Sequence, residues 1–414
     1  MGGFWHPFAA MGAVDGNELV IDRGEGVYVF DTNGNRYLDG TASLWYCNVG
    51  YGRAEIVEAV AGQMRKLHTF HTFGDYSNAP AIRLADRIAA LAPMPGSKVF
   101  FTSGGSDSVD SAAKLARRYF AETGESGRRV LITRSWAYHG MHGWGTSLAG
   151  IGANLELSGR TIPDVVEVEW DSIESLRAAI EEVGAERVAG FFCEPVIGAG
   201  GVRFPGEPYL KEARRLVAEA GGLFIADEVV TGFGRIGAWF ASERYSLEPD
   251  IITFAKGVTS GYLPLGGLIA APRIAEPFWS GETMWRHGYT YSGHASGCIA
   301  ALANLDIVES EELVGRALVL ETDLTEALAP LAADERVSEV RSGAGVLAAV
   351  QIDPRLIAAD PAAPGRAAAA SRKAGVITRV VAGGGLQVSP PLTIKPAELE
   401  ELATGLMAGV EAAG

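Results

Sequence analysis

One lysine and three carboxylates stand where a folded chain can put them to chemical use. Leu223-Phe224-Ile225-Ala226 is an apolar run that ends in Asp227 and Glu228, and Ile251-Ile252-Thr253-Phe254-Ala255 is a second that ends in Lys256. Phe191-Phe192-Cys193 ends in the same way at Glu194. Runs of this kind read as buried parallel strands, and open α/β sheets keep their chemistry at the carboxyl ends of such strands. A lysine there is costly to hold as a bare ammonium, so it titrates low or is tied up as a Schiff base. Of the seven lysines, only Lys256 follows five uncharged residues and precedes a Gly-rich turn. A lysine snorkelling from a strand end has the same spacing, and Glu194 alone reads equally well as a salt bridge or a cap.

Two further stretches add parts. Thr102-Ser103-Gly104-Gly105-Ser106-Asp107 lies between an apolar run and a helical pattern. Glycines there let backbone N–H groups converge, and a helix N-terminus favours an anion, so the turn suits a phosphate. A tight turn with an N-cap accounts for it as well. It is neither a Walker loop nor a dinucleotide fingerprint, since the Lys-Ser/Thr ending and the GxGxxG spacing are both missing. Trp136-Ala137-Tyr138-His139-Gly140 follows another run and offers an aromatic face for a planar cofactor, although a lone aromatic is more often core. Together, a phosphate cradle, a stacking aromatic, a carboxylate and a desolvated lysine are what pyridoxal phosphate needs. The joint pattern is far more specific than any of its members.

Elements that would position these residues follow from periodicity. Residues 17–40 read as a meander with a hairpin turn at Asn33-Gly34-Asn35, followed by the aromatic, Gly-rich loop LWYCNVGYG. Helices are expected over 54–66, 80–92, 107–121 and 208–220, with strands at 99–101, 129–133, 188–193 and the two runs above. Strands alternating with helices predict an α/β fold with a mostly parallel central sheet. From about residue 295 to 331 the chain reads as one long Ala/Leu-rich helical stretch, then an Ala-rich meander with a loop at 358–370 leading into a helix.

Bulk properties bound the function. At 414 residues the chain is long enough for two lobes, and 48% hydrophobic with 21% charged residues excludes disorder as a main theme. A formal charge of −15 argues against nucleic acid as a partner. Cys47, Cys193 and Cys298 are far apart and lack metal-ligand spacing, so reduced thiols in a cytoplasmic protein are expected and no metal is. No apolar segment is long enough to span a bilayer, and no secretory signal is evident.

Over nearly its whole length the sequence resembles the class III aminotransferases of pyridoxal-phosphate fold type I. The segments that carry the resemblance are WHPF at 5–8, LWYCNVGYGR at 44–53, TSGGSDSVD at 102–110, YHG at 138–140, EPVIGAGG at 194–201, DEVVTGFGR at 227–235, ITFAKGVTSGYLPLG at 252–266 and HGYTYSGH at 287–294. The resemblance implies a large domain over 51–300 and a smaller α/β domain formed by 1–50 and 301–414. It implies Lys256 as the Schiff-base lysine and Asp227 as partner of the pyridine nitrogen. Val229 would lie behind the ring, Tyr138 on its other face with His139 beside it, and Glu194 near the ring hydroxyl. Gly105 and Ser106 would hold the phosphate, with Tyr289 and Thr290 reaching the phosphate of a neighbouring subunit in a homodimer, itself open to pairing into a dimer of dimers. Where the family commonly has Asn-Ser-Gly-Ser-Glu, this chain has Ser103-Gly104-Gly105-Ser106-Asp107, losing a hydroxyl and shortening an acid.

The resemblance also bears on substrates. Relatives that use 2-oxoglutarate usually read Gln-Gly-Glu-Gly after the Glu-Pro pair. Here Ile197-Gly198-Ala199-Gly200 has no carboxylate at Ala199, which looks like the group that uses pyruvate with amines or ω-amino acids. That group also carries the pair seen at Leu44-Trp45, where Trp45 would wall an apolar pocket. Arg379 sits near the position where this group keeps an arginine that binds a substrate carboxylate and swings aside for an amine, a task that suits a guanidinium fork. Its spacing to Pro390-Pro391 is one residue longer than usual, and a solvated surface arginine is the other reading. The expected activity is transfer of an amino group from an amine to pyruvate. The rivals are another acceptor such as 2-oxoglutarate, a semialdehyde aminomutase, and a non-catalytic scaffold, which would be expected to lack Lys256 or Asp227.

Overall fold

The computed structural model describes residues 2–156, 158–281 and 283–414. The N-terminal meander forms β1 (Ile21–Glu25), β2 (Tyr28–Asp31) and β3 (Arg36–Asp39), with the β2–β3 turn held by Asp31, whose carboxylate accepts from the backbone of Asn33 and Asn35. The central strands are β4 (Lys98–Thr102), β5 (Val130–Arg134), β6 (Val165–Val168), β7 (Val188–Cys193), β8 (Leu223–Asp227), β9 (Ile251–Phe254) and β10 (Gly266–Ala270). Five more follow: β11 (Val337–Arg341), β12 (Ala348–Ile352), β13 (Val376–Ile377), β14 (Val380–Val381) and β15 (Gly385–Val388).

The seven central strands form one sheet in the order β4-β10-β9-β8-β7-β5-β6. Strands β5 to β9 pair in parallel, and every residue of β5, β7, β8 and β9 is buried, as expected for strands covered on both faces. β10 runs antiparallel to both β4 and β9. β4 therefore runs with β9, and the carboxyl ends of β4, β5, β7, β8 and β9 share one edge of the sheet. That edge collects Thr102–Ser106, Trp136–Gly140, Glu194, Asp227 and Lys256.

The helix that follows β4, Gly105–Glu122, buries Val109, Ala112, Ala113, Ala116 and Phe120, the face its periodicity predicts. Helices at Ala54–Leu67, Ala79–Leu91 and Glu207–Glu219 fall within a residue or two of their expected positions. The stretch expected as one helix over 295–331 is two, Ala295–Ser310 and Leu313–Ala332. Glu309, Glu311 and Glu312 crowd the end where the helix dipole disfavours carboxylates, and Glu312 takes a left-handed conformation (φ 51°) that turns the chain. The loop expected over 358–370 is mostly helix: Pro354–Ala359 and Ala363–Lys373 are both helical, and only 360–362 separates them.

Buried apolar side chains fall into two clusters. One surrounds the central sheet; the other joins β2 and β3 surroundings (Val27, Leu38) to the C-terminal helices and β12 and β15 (Leu320, Leu324, Val350, Leu386, Leu406). β13 pairs in parallel with β3, so the two chain ends share a sheet. Across the junction lies Arg235, fully buried, donating from Nη2 to Asn48 Oδ1 at 2.6 Å and from Nη1 to the Pro390 carbonyl at 2.6 Å. Among the described residues no helix is long and apolar enough to cross a membrane.

Candidate active site

A pocket with about 610 Å³ of empty space, its mouth included, opens at the shared edge of the sheet. Trp45, Gly105, Ser106, Tyr138, His139, Glu194, Ala199, Asp227, Val229 and Lys256 line it. Ten residues singled out in the sequence thus meet in one cavity, although they are spread over more than two hundred positions.

Lys256 stands two residues beyond β9 with its backbone in the left-handed region (φ 48°). Its Nζ makes no hydrogen bond among the described residues and lies 5.1 Å from the centroid of the Trp45 ring. Burial pulls its pKa down to about 8, against the opposing pull of Asp227 and Glu194, and the Arg379 charge adds to the lowering. About a tenth is then neutral amine at pH 7 and about half at pH 8, the form that attacks carbonyls and accepts protons.

Asp227 ends β8 and is almost fully buried. Nδ1 of His139 donates to its Oδ2 at 2.6 Å, while Oδ1 accepts from Thr253 Oγ1 at 3.0 Å and from the Val229 N–H at 3.2 Å. A carboxylate so held keeps its aim. Glu228, next in sequence, turns away from the pocket: its oxygens accept from Thr231 Oγ1 (3.0 Å) and from the N–H groups of Ala241 (2.5 Å) and Ser242 (2.8 Å), and burial pushes its pKa up. Only the first carboxylate of the pair faces the chemistry.

Glu194 is a clamp. Oε1 accepts from the Tyr138 N–H at 3.0 Å and Oε2 from the Gly198 N–H at 2.9 Å, which ties the Tyr138 segment to the turn carrying Ala199. Its own carbonyl accepts from the buried guanidinium of Arg134. Burial raises the Glu194 pKa, with His139 and the two backbone donors opposing.

Gly105 opens the helix after β4, so its N-terminus points at the pocket, as an anion site requires. A Cβ at Gly105 would meet Val229 Cγ1 at 3.0 Å. Gly140, at φ +94°, lies so close to Ser106 that a Cβ there would come within 2.5 Å of its Oγ. The Ser106 hydroxyl accepts from the Met141 N–H at 3.2 Å, and its proton remains free to donate. The departure at Gly104 leaves the cradle intact, since nothing lies within 4 Å of where its side chain would be. The shortened acid at Asp107 still reaches the Ser103 N–H, at 3.1 Å.

Trp45 is presented by a strained loop. Ala42, Ser43 and Trp45 all have positive φ (45°, 57° and 64°), a conformation costing roughly 1–3 kcal/mol each. Asp39 holds it: its carboxylate accepts from the Thr41 N–H (2.9 Å), Thr41 Oγ1 (2.7 Å), the Ser43 N–H (2.5 Å) and Tyr51 Oη (2.7 Å). Arg379 packs on the Trp45 ring, its Cζ 4.3 Å from the centroid, and is not itself among the residues that line the pocket. Burial lowers its pKa, and its charge is felt at Tyr138 and Lys256.

Three residues named from the sequence lie elsewhere. Leu44 is 45% exposed and does not line the pocket, because the non-helical backbone at 43–44 sends it away from Trp45. Tyr289 Oη donates to the Asp107 carbonyl of its own chain at 3.2 Å, on the helix but outside the pocket, and Thr290 is exposed. Sequence reading missed Thr253, Asp39, Arg134 and Gln387. A hydroxyl inside an otherwise apolar run was the available signal for Thr253; the others act through folding contacts that no motif spells out.

The pocket fits pyridoxal phosphate on its own terms. His139 Nε2 and Trp45 Nε1 are buried without a hydrogen-bond partner among the described residues. The glycine cradle at a helix N-terminus suits a phosphate, and a partly neutral lysine faces a clamped carboxylate. Comparison with known proteins agrees. Residues 11–409 match the family model described as aminotransferase class-III, and the chain belongs to that family. It is a pyridoxal-phosphate-dependent transaminase that moves an amino group to a keto acid. It is 37% identical to a putrescine–pyruvate aminotransferase of Pseudomonas aeruginosa over 93% of this chain and 89% of that protein. It is 36% identical to a diaminobutyrate–2-oxoglutarate transaminase of Halomonas elongata, over 92% and 88%. A crystal structure of an amine transaminase from an uncultivated Pseudomonas species, in its PLP-bound form, superposes with a TM-score of 0.93 at 37% identity, covering 100% of this chain and 99% of that one.

Proposed function

We propose that this transaminase takes an amine or ω-amino acid as donor and pyruvate as acceptor, in two half-reactions at one site. The observation that carries the proposal is the pocket wall of Ala199 and Trp45 with Arg379 packed on the Trp45 ring: a guanidinium stands beside the pocket, and no carboxylate at Ala199 neutralises it. A relative at 37% identity named for pyruvate supports the same acceptor.

When bound, the cofactor supplies an electron sink for the carbon that loses its proton. The residues of this chain do the rest. Gly105 and Ser106, with the helix N-terminus behind them, would bind the phosphate, and Val229 and Tyr138 would flank the ring. Asp227, aimed by His139 and Thr253, would hold a proton at the ring nitrogen. Lys256 would move the proton at the donor carbon through Nζ, whose pKa of about 8 suits a base that must both take and return it. Trp45 would exclude water, and Arg379 would receive the carboxylate of pyruvate.

The same reading takes 1–50 with 301–414 as a small domain beside a large domain over 51–300. It takes the functional unit as a homodimer in which Tyr289 and Thr290 reach the neighbouring phosphate. Exposed aromatic residues at Trp5, Phe70, Phe73 and Tyr76 support an interface. Three free, buried cysteines support a cytoplasmic setting.

Initial rates with one amine donor and either pyruvate or 2-oxoglutarate test the acceptor. The expected result is parallel double-reciprocal plots with pyruvate and a kcat/KM for it well above that for 2-oxoglutarate. A preference for 2-oxoglutarate, or product formed without any keto acid as an aminomutase would give, overturns the proposal.

A further inference from the structure

Arg379 is not loose beside the pocket. Its Nε donates to Oε1 of Gln387 at 2.6 Å, and the Gln387 backbone N–H donates to the Arg379 carbonyl at 2.9 Å, so β15 grips it twice. Gln387 is itself fully buried. Its Nε2 donates to Ser389 Oγ at 2.6 Å and to the Thr41 carbonyl at 3.4 Å. A carbonyl can only accept, so the amide cannot flip, and Oε1 must face the arginine. Arg379 Nη1 and Nη2 have no hydrogen-bond partner among the described residues. The guanidinium is thus pinned by one edge and open along the other.

We propose that Gln387 is a specificity-determining positioning residue: by occupying Nε it presents only the Nη edge of Arg379 to a substrate carboxylate. This rests on the reading of Arg379 given above. A neutral amide is the fitting partner, because it orients the guanidinium and leaves its charge for the substrate. Pinning also removes rotamers that the arginine would otherwise lose on binding. Thr41, which anchors Gln387, belongs to the loop that Asp39 holds in its strained shape. The guanidinium beside the pocket and the Trp45 wall therefore share one support, and a carboxylate and an apolar side chain are sorted by parts fixed to the same residue.

The test compares pyruvate with an aldehyde acceptor that has no carboxylate, in the holoenzyme with one amine donor. Gln387→Glu gives Arg379 a permanent internal carboxylate. It is expected to raise the ratio of KM for pyruvate to KM for the aldehyde by ~10-fold, the equivalent of one charge-assisted hydrogen bond. The effect falls on KM rather than kcat. Propionate binding to the holoenzyme, measured by calorimetry, should weaken by the same factor. Gln387→Met, uncharged and of similar length, carries the same expected direction if the buried glutamate prevents folding. In an Arg379→Leu background neither change should alter the ratio further. An unchanged ratio in the Gln387 variants, with Arg379→Leu still raising it, overturns the inference alone. An unchanged ratio in Arg379→Leu overturns the reading of Arg379, and the inference with it.

Discussion

Replacing Lys256 by Met should abolish transamination and, in cofactor-free protein, raise stability. Lys256 has a folded-state pKa of about 8 against 10.5 for a free lysine. The folded state therefore disfavours its charge, and at pH 7, below both values, that disfavour is fully present. The difference is worth ~3 kcal/mol, taking about 1.4 kcal/mol per pKa unit. Met fills similar space without the charge and removes the cost. As pH rises through about 8 towards 10.5 the lysine of the folded state deprotonates first, and the advantage of Met shrinks; by pH 9.5 about half remains. Spread over the unfolding entropy of a chain this long, ~3 kcal/mol is a rise of about 3 °C in Tm at pH 7. Differential scanning calorimetry of both cofactor-free proteins between pH 7 and 9.5 checks it. A Met variant less stable than the parent, or a gain that does not change with pH, would refute the argument that burial sets the pKa of Lys256.

Three further substitutions probe the rest of the pocket. Asp227→Asn keeps the contacts to Thr253 and Val229 in shape but loses the charge, and should lower kcat by ~100-fold or more, consistent with losing roughly 3 kcal/mol of electrostatic stabilisation, with the fold intact by circular dichroism. Gly140→Ala places a methyl against Ser106 at a φ of +94°, and should weaken cofactor binding several-fold in a fluorescence titration while leaving the far-UV spectrum unchanged. Trp45→Ala removes the pocket wall and should admit bulkier amines, raising their kcat/KM relative to small ones; an unaltered order of donors would show that Trp45 does not bound the donor site.

How far the sequence could be read differs by residue. Lys256, Asp227, Glu194 and the Gly105-Ser106 turn were legible because each stands at the end of an apolar run, and a parallel sheet brings such ends to one edge. Strand β10, Gly266–Ala270, was not among the strands expected, and its antiparallel place between β4 and β9 follows only from the pairing in the folded sheet. The pocket role of Trp45 was visible as a resemblance, but the parting of Leu44 from it was not. That follows from the positive φ angles around Trp45, which depend on Asp39 as an acceptor for four donors. The break at Glu311–Glu312 was hidden by helix formers on both sides. Gln387 lies in a short strand with no motif, and its importance appears only when folding puts it beside Arg379 and Thr41.

The central claim is that Lys256, Asp227 and the glycine cradle hold pyridoxal phosphate in working order for a half-reaction. The most direct measurement is the visible spectrum of the purified holoenzyme with an amine donor and no keto acid, with carbonyl product counted per subunit. The expected result is loss of the long-wavelength band, one carbonyl released per subunit, and return of the band on adding pyruvate. A spectrum unmoved by any amine, or product accumulating beyond one per subunit without a keto acid, would contradict it.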